Sequence, residues 1–210
     1  MTKNRISPRV IERLTKYLRC LANLESDDFI SSEGLAKKMG YTAAQVRKDL
    51  SNFGEFGIRG KGYQIKSLFE DIENILGINK INKIILIGVG RLGEALLSEP
   101  EFTNKNFNLV GVFEKSKEKI GNEIQGLKIK DIDTITDFLG ENKDVEIAII
   151  TVPKIVAQEL ANTLVGLGIR AILNFAPMKL DLPKEISVEN IDLYAKLQVL
   201  NYWKESSKLK

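Results

Sequence analysis

The sequence predicts an α/β protein in two parts, a small helix-turn-helix domain and then a parallel-sheet domain, followed by one further helix. Three observations carry this prediction. The first third of the 210 residues shows amphipathic helical periodicity. From Lys83 onward, short apolar β-type runs alternate with amphipathic stretches, the signature of a sheet covered on both faces. At the change of texture, residues 83–93 read Lys-Ile-Ile-Leu-Ile-Gly-Val-Gly-Arg-Leu-Gly, a β-type run opening into G-x-G-x-x-G.

Composition narrows the classes. An apolar fraction of 43% with 28% charged residues suits a globular chain, and the apolar runs are too short to span a bilayer. No apolar segment follows the Met1-Thr2-Lys3-Asn4 start, so no signal peptide is expected. The lone Cys20 suits a reducing compartment, and the expected location is cytoplasmic. Histidine is absent, which removes the commonest general acid/base and metal ligand, so no metal site is expected. The net charge of +3 is unevenly divided. Residues 1–66 hold 13 Lys/Arg against 7 Asp/Glu, whereas residues 67–210 hold 18 against 21. A basic N-terminal part is what a polyanion would meet, although a solvated surface accounts for a surplus this small equally well.

The first helix is expected over Ser7–Leu24, with Pro8 in its first turn and Val10, Leu14, Leu18 and Leu21 on its apolar stripe. A second begins at Ser32 and stops at Gly40. Thr42-Ala43-Ala44-Gln45 reads as a capping box that opens a third helix running to about Phe53. Two short helices joined by a glycine-containing turn form a helix-turn-helix. On the third helix Val46, Leu50 and Phe53 share one face. Ala44, Arg47, Lys48, Ser51 and Asn52 share the other, which suits a DNA major groove or merely a solvated surface. Residues 54–63 hold four glycines, two aromatics, Arg59 and Lys61, and read as the basic hairpin of a winged helix. Candidate DNA contacts are therefore Ala44, Gln45, Arg47, Lys48, Ser51, Arg59 and Lys61. A helix over 65–77 and a linker over 79–82 complete this part, giving a DNA-binding domain over 1–78.

In the second part, strands are expected at 83–87, 107–113, 127–129, 145–151, 170–174 and 188–192, with helices at 91–99, 131–140 and 154–167. This is a Rossmann-type arrangement, with a nucleotide domain over 82–192. Gly88 permits the tight turn, Gly90 lets the backbone approach a pyrophosphate, and Gly93 allows close packing of helix on strand. Glu114 lies 21 residues past Gly93, where an acid accepts a ribose hydroxyl. A carboxylate there favours NAD(H) over NADP(H), with Lys115 and Lys117 blunting the preference. Candidate cofactor contacts are Gly88, Val89, Gly90, Arg91, Leu92, Gly93, Glu114 and Lys115, joined by the later strand-end loops Thr151-Val152-Pro153 and Asn174-Phe175.

Hydride transfer to or from a carbonyl usually needs a proton donor beside the nicotinamide. Histidine is lacking, no tyrosine is followed four residues later by lysine, and one helix alone follows residue 192. Nucleotide binding without turnover is the better reading. A small NAD-dependent oxidoreductase with an accessory helical domain is the alternative, and a nucleotide-gated protein-interaction module is another.

The chain resembles the Rex family of redox-sensing transcriptional repressors over nearly its whole length. The resemblance is carried by Gln45-Val46-Arg47-Lys48-Asp49-Leu50-Ser51-Asn52-Phe53-Gly54, Gly60-Lys61-Gly62-Tyr63, Gly88–Gly93, Ile172-Leu173-Asn174-Phe175-Ala176-Pro177 and Val188-Glu189-Asn190-Ile191-Asp192-Leu193. It implies a winged-helix domain, a Rossmann domain sensing NADH against NAD⁺, and a homodimer that represses from a palindromic DNA operator until NADH releases it. It also implies that residues 193–210, whose Leu193, Leu197, Leu200 and Trp203 give a wide apolar face, form a dimerisation helix exchanged between subunits. Docking of that helix on its own domain is the simpler alternative. Asp192 matches a family aspartate near the nicotinamide, and Arg19 matches the arginine that pairs with it. Glu99 stands before Pro100 where family members commonly carry a tyrosine, so a tyrosine-based switch does not transfer.

Overall fold

The computed structural model describes residues 6–25, 27–99 and 106–206. The chain divides into two units, Met1–Lys80 and Ile81–Lys210.

The first unit begins with helix α1 (Pro8–Leu21), whose Val10, Leu14, Tyr17 and Leu21 are buried. It stops three residues short of the expected Leu24. The Asn23 side-chain amide takes the Arg19 carbonyl at 2.8 Å, and the backbone tightens into a turn. Helix α2 (Ser32–Met39) follows strand β1 (Phe29–Ile30), and Gly40 closes it in the left-handed region at φ +69°. Helix α3 (Ala43–Leu50) starts where Thr42 Oγ1 accepts the Gln45 amide at 3.2 Å. It ends at Leu50, before the expected Phe53, because the Ser51 hydroxyl and the Asn52 amide both occupy the Lys48 carbonyl, at 3.0 and 2.8 Å. Strands β2 (Gly57–Ile58) and β3 (Gly62–Gln64) form the hairpin, and β1 pairs antiparallel to β3 on its other side. Gly62 has φ +91°, and a Cβ there would lie 2.5 Å from the Ile30 carbonyl oxygen, so the hairpin can lie this close to β1 only with glycine. Helix α4 (Ile65–Leu76) completes the unit, and Leu14, Tyr17, Leu35, Val46, Leu50, Leu68 and Ile72 form its core. Each such buried side chain contributes about 1.5–3 kcal/mol.

The second unit is a seven-stranded sheet of order β10-β9-β8-β4-β5-β7-β6. Its strands are β4 (Asn82–Ile87), β5 (Phe107–Glu114), β6 (Glu123–Ile124), β7 (Leu127–Asp131), β8 (Val145–Ile150), β9 (Ala171–Asn174) and β10 (Ser187–Asn190). All pairings are parallel except β6 with β7, a two-residue hairpin that the sequence reading did not anticipate. Helices α5 (Arg91–Ser98), α6 (Ile135–Glu141) and α7 (Lys154–Gly166) connect the strands, and a short 3₁₀ turn at 132–134 takes the expected first turn of α6. One apolar cluster, around Phe113, Ala148, Ile150 and Leu164, joins the sheet to α6 and α7. A second, around Leu86, Val112 and Ile149, includes Leu97 of α5. Chain order reverses between β4 and β8, where such sheets open a crevice at the strand C-termini. Helix α8 (Leu193–Ser206) buries none of its residues. Leu193, Tyr194, Leu197, Leu200, Tyr202 and Trp203 are each at least 60% exposed, so α8 does not bury its apolar residues on its own unit.

Candidate functional site

Two surfaces gather the chemistry. The first is the crevice above β4, β5 and β8, with a cavity of about 890 Å³. At its floor the strand-to-helix turn is held by backbone contacts that permit no side chain. Gly88 has φ +97°, and a Cβ on it would lie 2.8 Å from the Thr151 carbonyl oxygen. A Cβ on Gly93 would lie 2.2 Å from the Gly88 carbonyl oxygen. Thr151 Oγ1 donates to the Gly88 carbonyl at 2.5 Å and so ties the turn to the end of β8. Gly90 differs from its neighbours. Its φ of −77° is open to any residue and a Cβ would meet nothing within 4 Å, so glycine leaves room there for something outside the fold.

Glu114 ends β5 beside this turn. Its Oε2 accepts the Val89 amide at 2.6 Å, and its Oε1 accepts the Lys115 and Ser116 amides at 2.6 and 3.0 Å. Burial alone would raise its pKa. The three amides and the nearby Lys119 charge outweigh burial and hold the carboxyl below its usual range. An acceptor kept ionised at neutral pH therefore sits next to an open glycine turn at a helix N-terminus, an arrangement suited to a ribose and a diphosphate. Ile132, Val152, Val156 and Leu160 supply apolar wall.

The second surface belongs to the first unit. Ala44, Arg47, Lys48, Ser51, Arg59 and Lys61 are all exposed, and a groove of about 610 Å³ runs between α2, α3 and the hairpin. Arg47 reaches across to α2, donating to Ser32 Oγ at 2.7 Å and to Glu33 Oε1 at 3.0 Å. The Lys61 ammonium lies 5.7 Å from the Phe29 ring centre. Beneath the face Asp49, 1% exposed, accepts from Arg13 Nε at 2.5 Å, Arg13 Nη2 at 2.7 Å, Tyr17 Oη at 2.7 Å and Gln45 Nε2 at 2.7 Å. The recognition-type helix α3 is thereby bolted to α1.

Comparison with known proteins decides the family. A redox-sensing transcriptional repressor Rex from Caldicellulosiruptor saccharolyticus is 44% identical over 202 residues, covering 95% of this chain and 92% of that protein. One from Clostridium perfringens (strain SM101 / Type A) is 43% identical over 202 residues, covering 95% of each. The chain belongs to the Rex family. Family models for a putative DNA-binding protein N-terminus and a CoA binding domain match residues 5–51 and 79–178. The crystal structure of the Rex-family repressor RSP with β-NAD⁺ and operator DNA superposes with a TM-score of 0.91 at 39% identity, covering 97% of this chain and 94% of that one. RSP with β-NADH gives 0.87 at 37% identity, covering 98% and 97%.

Within this Rex chain the expected residues divide. Gly88, Gly90, Glu114, Lys115, Thr151, Val152 and Pro153 line one cavity. Arg91 and Leu92 are exposed on the first turn of α5, while Val89 is 1% exposed and offers only its backbone. Asn174 is wholly buried, its side chain donating to the Ala176 and Met178 carbonyls and to Asn190 Oδ1 and accepting the Ala176 amide, so it shapes the loop after β9. Phe175 packs half-buried against the sheet. Gln45 is half-buried, and its amide nitrogen donates to Asp49 Oδ1 at 2.7 Å. Asp192 is exposed and accepts the Ala195 amide at 2.9 Å, capping α8. Arg19 is exposed on the last turn of α1, Glu99 follows α5, and Pro100 lies outside the described residues.

Sequence reasoning passed over Asp49 and Lys119. An acid three residues after Val46, on the buried face of α3, was a readable signal. Lys119 is 30 residues from the carbonyl it meets and belongs to no motif, so nothing marked it. Among the described residues no cluster of His, Cys, Asp and Glu could hold a metal, and no helix is long and apolar enough to cross a membrane.

Proposed function

We propose that this chain is a transcriptional repressor that reads the NADH/NAD⁺ ratio, binding a palindromic operator when NADH is low and leaving it when NADH is bound. The observation that carries this reading is the pairing of an ionised Glu114 with an unobstructed Gly90 turn at one crevice, in a chain whose other unit presents a basic helix-turn-helix face. Relatives named redox-sensing repressors, and RSP with both NAD⁺ and operator DNA, support it.

In this reading residues 1–78 bind DNA, residues 82–192 bind NAD(H), and residues 193–210 join two subunits in the cytoplasm. Helix α8 supports the last assignment, because a row of apolar side chains this exposed on a lone subunit calls for burial by a second copy. The adenosine half would lie beside Glu114 against Ile132 and Val156, and the nicotinamide half toward Phe175 and Asp192. No metal is required. An Arg19–Asp192 ion pair would favour the DNA-competent arrangement, and NADH would break it. Glu99 replaces the family tyrosine, so its carboxylate would favour the cationic nicotinamide of NAD⁺. A near-complete switch needs a differential affinity of about 5.5 kcal/mol between the two states.

An electrophoretic shift with a palindromic duplex, titrated with each nucleotide, tests the reading. NADH should release the duplex while NAD⁺ should not. Equal response to both, or no shift at all, would overturn it.

A further inference from the structure

Lys119 stands in the turn after β5 and belongs to neither the glycine fingerprint nor the strand-end loops of the crevice. Its Nζ donates to the Val89 carbonyl at 2.5 Å and to Glu94 Oε1 at 2.8 Å, the latter on the first turn of α5. On the other side of Val89, the amide N–H is held by Glu114. Two consecutive peptide groups of the glycine turn are thus each gripped by one side chain, Gly88–Val89 by Glu114 and Val89–Gly90 by Lys119.

A trans peptide is planar, and its N–H points opposite to its C=O. A Val89 carbonyl fixed on the Lys119 ammonium therefore turns the Gly90 N–H away from Lys119. Among the described residues that N–H is given to no acceptor, and Gly90 lines the cavity. We propose that Lys119 is a positioning residue for diphosphate recognition, holding the Gly90 amide aimed at the phosphate oxygens before the nucleotide arrives. This rests on the reading of the crevice as a dinucleotide site. Pre-aimed donors bind more tightly because no orientation has to be imposed at binding. The brace to Glu94 holds the first turn of α5 in the same alignment. Lys119 need not touch the nucleotide.

The test compares ligands that differ in the diphosphate. Affinities for NADH, ADP-ribose and adenosine are measured by fluorescence and calorimetry on the full chain, native and Lys119→Met. The native chain should bind NADH and ADP-ribose. Lys119→Met should weaken both about tenfold, equivalent to about 1.4 kcal/mol, and leave adenosine unchanged. Lys119→Arg, which keeps a charged donor, should recover most of the loss. Should Lys119→Met fail to fold, Lys119→Gln carries the same comparison with a smaller expected loss. Unchanged NADH affinity in the variant would overturn the role of Lys119, and so would an equal loss for adenosine, which would mark a general support of the pocket. Failure of the native chain to bind NADH or ADP-ribose would instead overturn the dinucleotide reading itself.

Discussion

The Val89 amide donates to Glu114 Oε2 over 2.6 Å, so the acid that ends β5 grips the turn that ends β4. One carboxylate thereby does two things. It fixes the glycine turn, and it keeps a full negative charge at the wall of the crevice because three amides and the Lys119 charge outweigh the cost of burying it.

Glu114→Gln, compared on NADH and NADPH, tests the charge. Glutamine keeps the volume, but it removes the charge and turns an NH₂ group toward a donor. Hydrogen bonds to charged groups are worth about 1.5–3 kcal/mol, so NADH affinity should fall at least about tenfold. NADPH, whose 2′-phosphate the carboxylate repels, should lose less or gain. Parallel NADH and NADPH fluorescence titrations check this, and an undiminished preference for NADH would mean that the charge is not the selector.

The network around Asp49 makes a prediction about stability. Burial pushes the Asp49 pKa upward, but hydrogen bonds from Arg13, Tyr17 and Gln45 and the Arg13 charge bring it below the usual value. The same contacts raise the Arg13 and Tyr17 pKa values, Tyr17 chiefly through burial. A carboxyl whose folded pKa lies below its unfolded value adds stability above the unfolded pKa of about 4, and that stability is lost as pH falls through the folded value. Asp49 and Glu114 share this direction, so the melting temperature should hold from pH 7 to about pH 5 and drop steeply below about pH 4. Asp49→Ala leaves a partly buried guanidinium unpaired and should cost about 3 kcal/mol at pH 7. The acid-side drop should also shrink in that variant. Thermal unfolding against pH, native and variant, measures both effects.

Much of this was legible in the sequence, for physical reasons that differ by element. The strands and helices of the second unit were readable because their apolar periods are long. The fingerprint turn was readable because Gly88 and Gly93 are places where a Cβ collides with backbone. Helix ends were less readable, because α1 and α3 stop where Asn23, Ser51 and Asn52 side chains capture carbonyls, which is a competition and not a pattern. The β6–β7 hairpin was missed, although Gln125-Gly126 at φ 50° and 74° is a two-residue turn of the kind that joins strands. At Asn174, sequence position says that a residue is at a strand end but not which way its amide turns. Contacts such as Lys119 to Val89 are set by tertiary proximity and leave no local trace.

Lys48 and Lys61 should fail in different ways. Lys48 is exposed on the outer face of α3, where a base edge would lie, whereas Lys61 is on the hairpin beside Phe29. Lys48→Ala should reduce the discrimination between operator and random duplex, with about 1–3 kcal/mol lost at the base it reads. Lys61→Ala should weaken both duplexes alike and reduce the salt slope by about one. Binding isotherms at several salt concentrations distinguish the two.

Glu33 would compete with the operator for Arg47. Its carboxylate holds Arg47 at 3.0 Å, and this pairing contributes to keeping Glu33 ionised, after a hydrogen bond with its own backbone. On the proposed DNA face, phosphates would draw Arg47 away from it. Exposed pairs are weak, so Glu33→Gln should raise operator affinity only about two- to fivefold, with most of the gain at low salt. An unchanged affinity would show that Arg47 stays on α2 in the complex.

The proposed switch can be tested without disturbing helix α8. Asp192 caps α8 through the Ala195 amide, so truncating it would confuse loss of charge with loss of the cap. Asn is as good an N-cap as Asp, so Asp192→Asn removes the charge and keeps an acceptor. Arg19→Ala and Asp192→Asn should each weaken nucleotide-free operator binding about tenfold if the pair holds the DNA-competent state. The double variant should be no weaker than either single one, because both remove the same interaction. Both should also narrow the gap between operator affinity with and without NADH, since part of what NADH breaks is already gone. Additive losses in the double variant would assign the two residues separate roles, and an intact NADH response in both single variants would place the switch elsewhere.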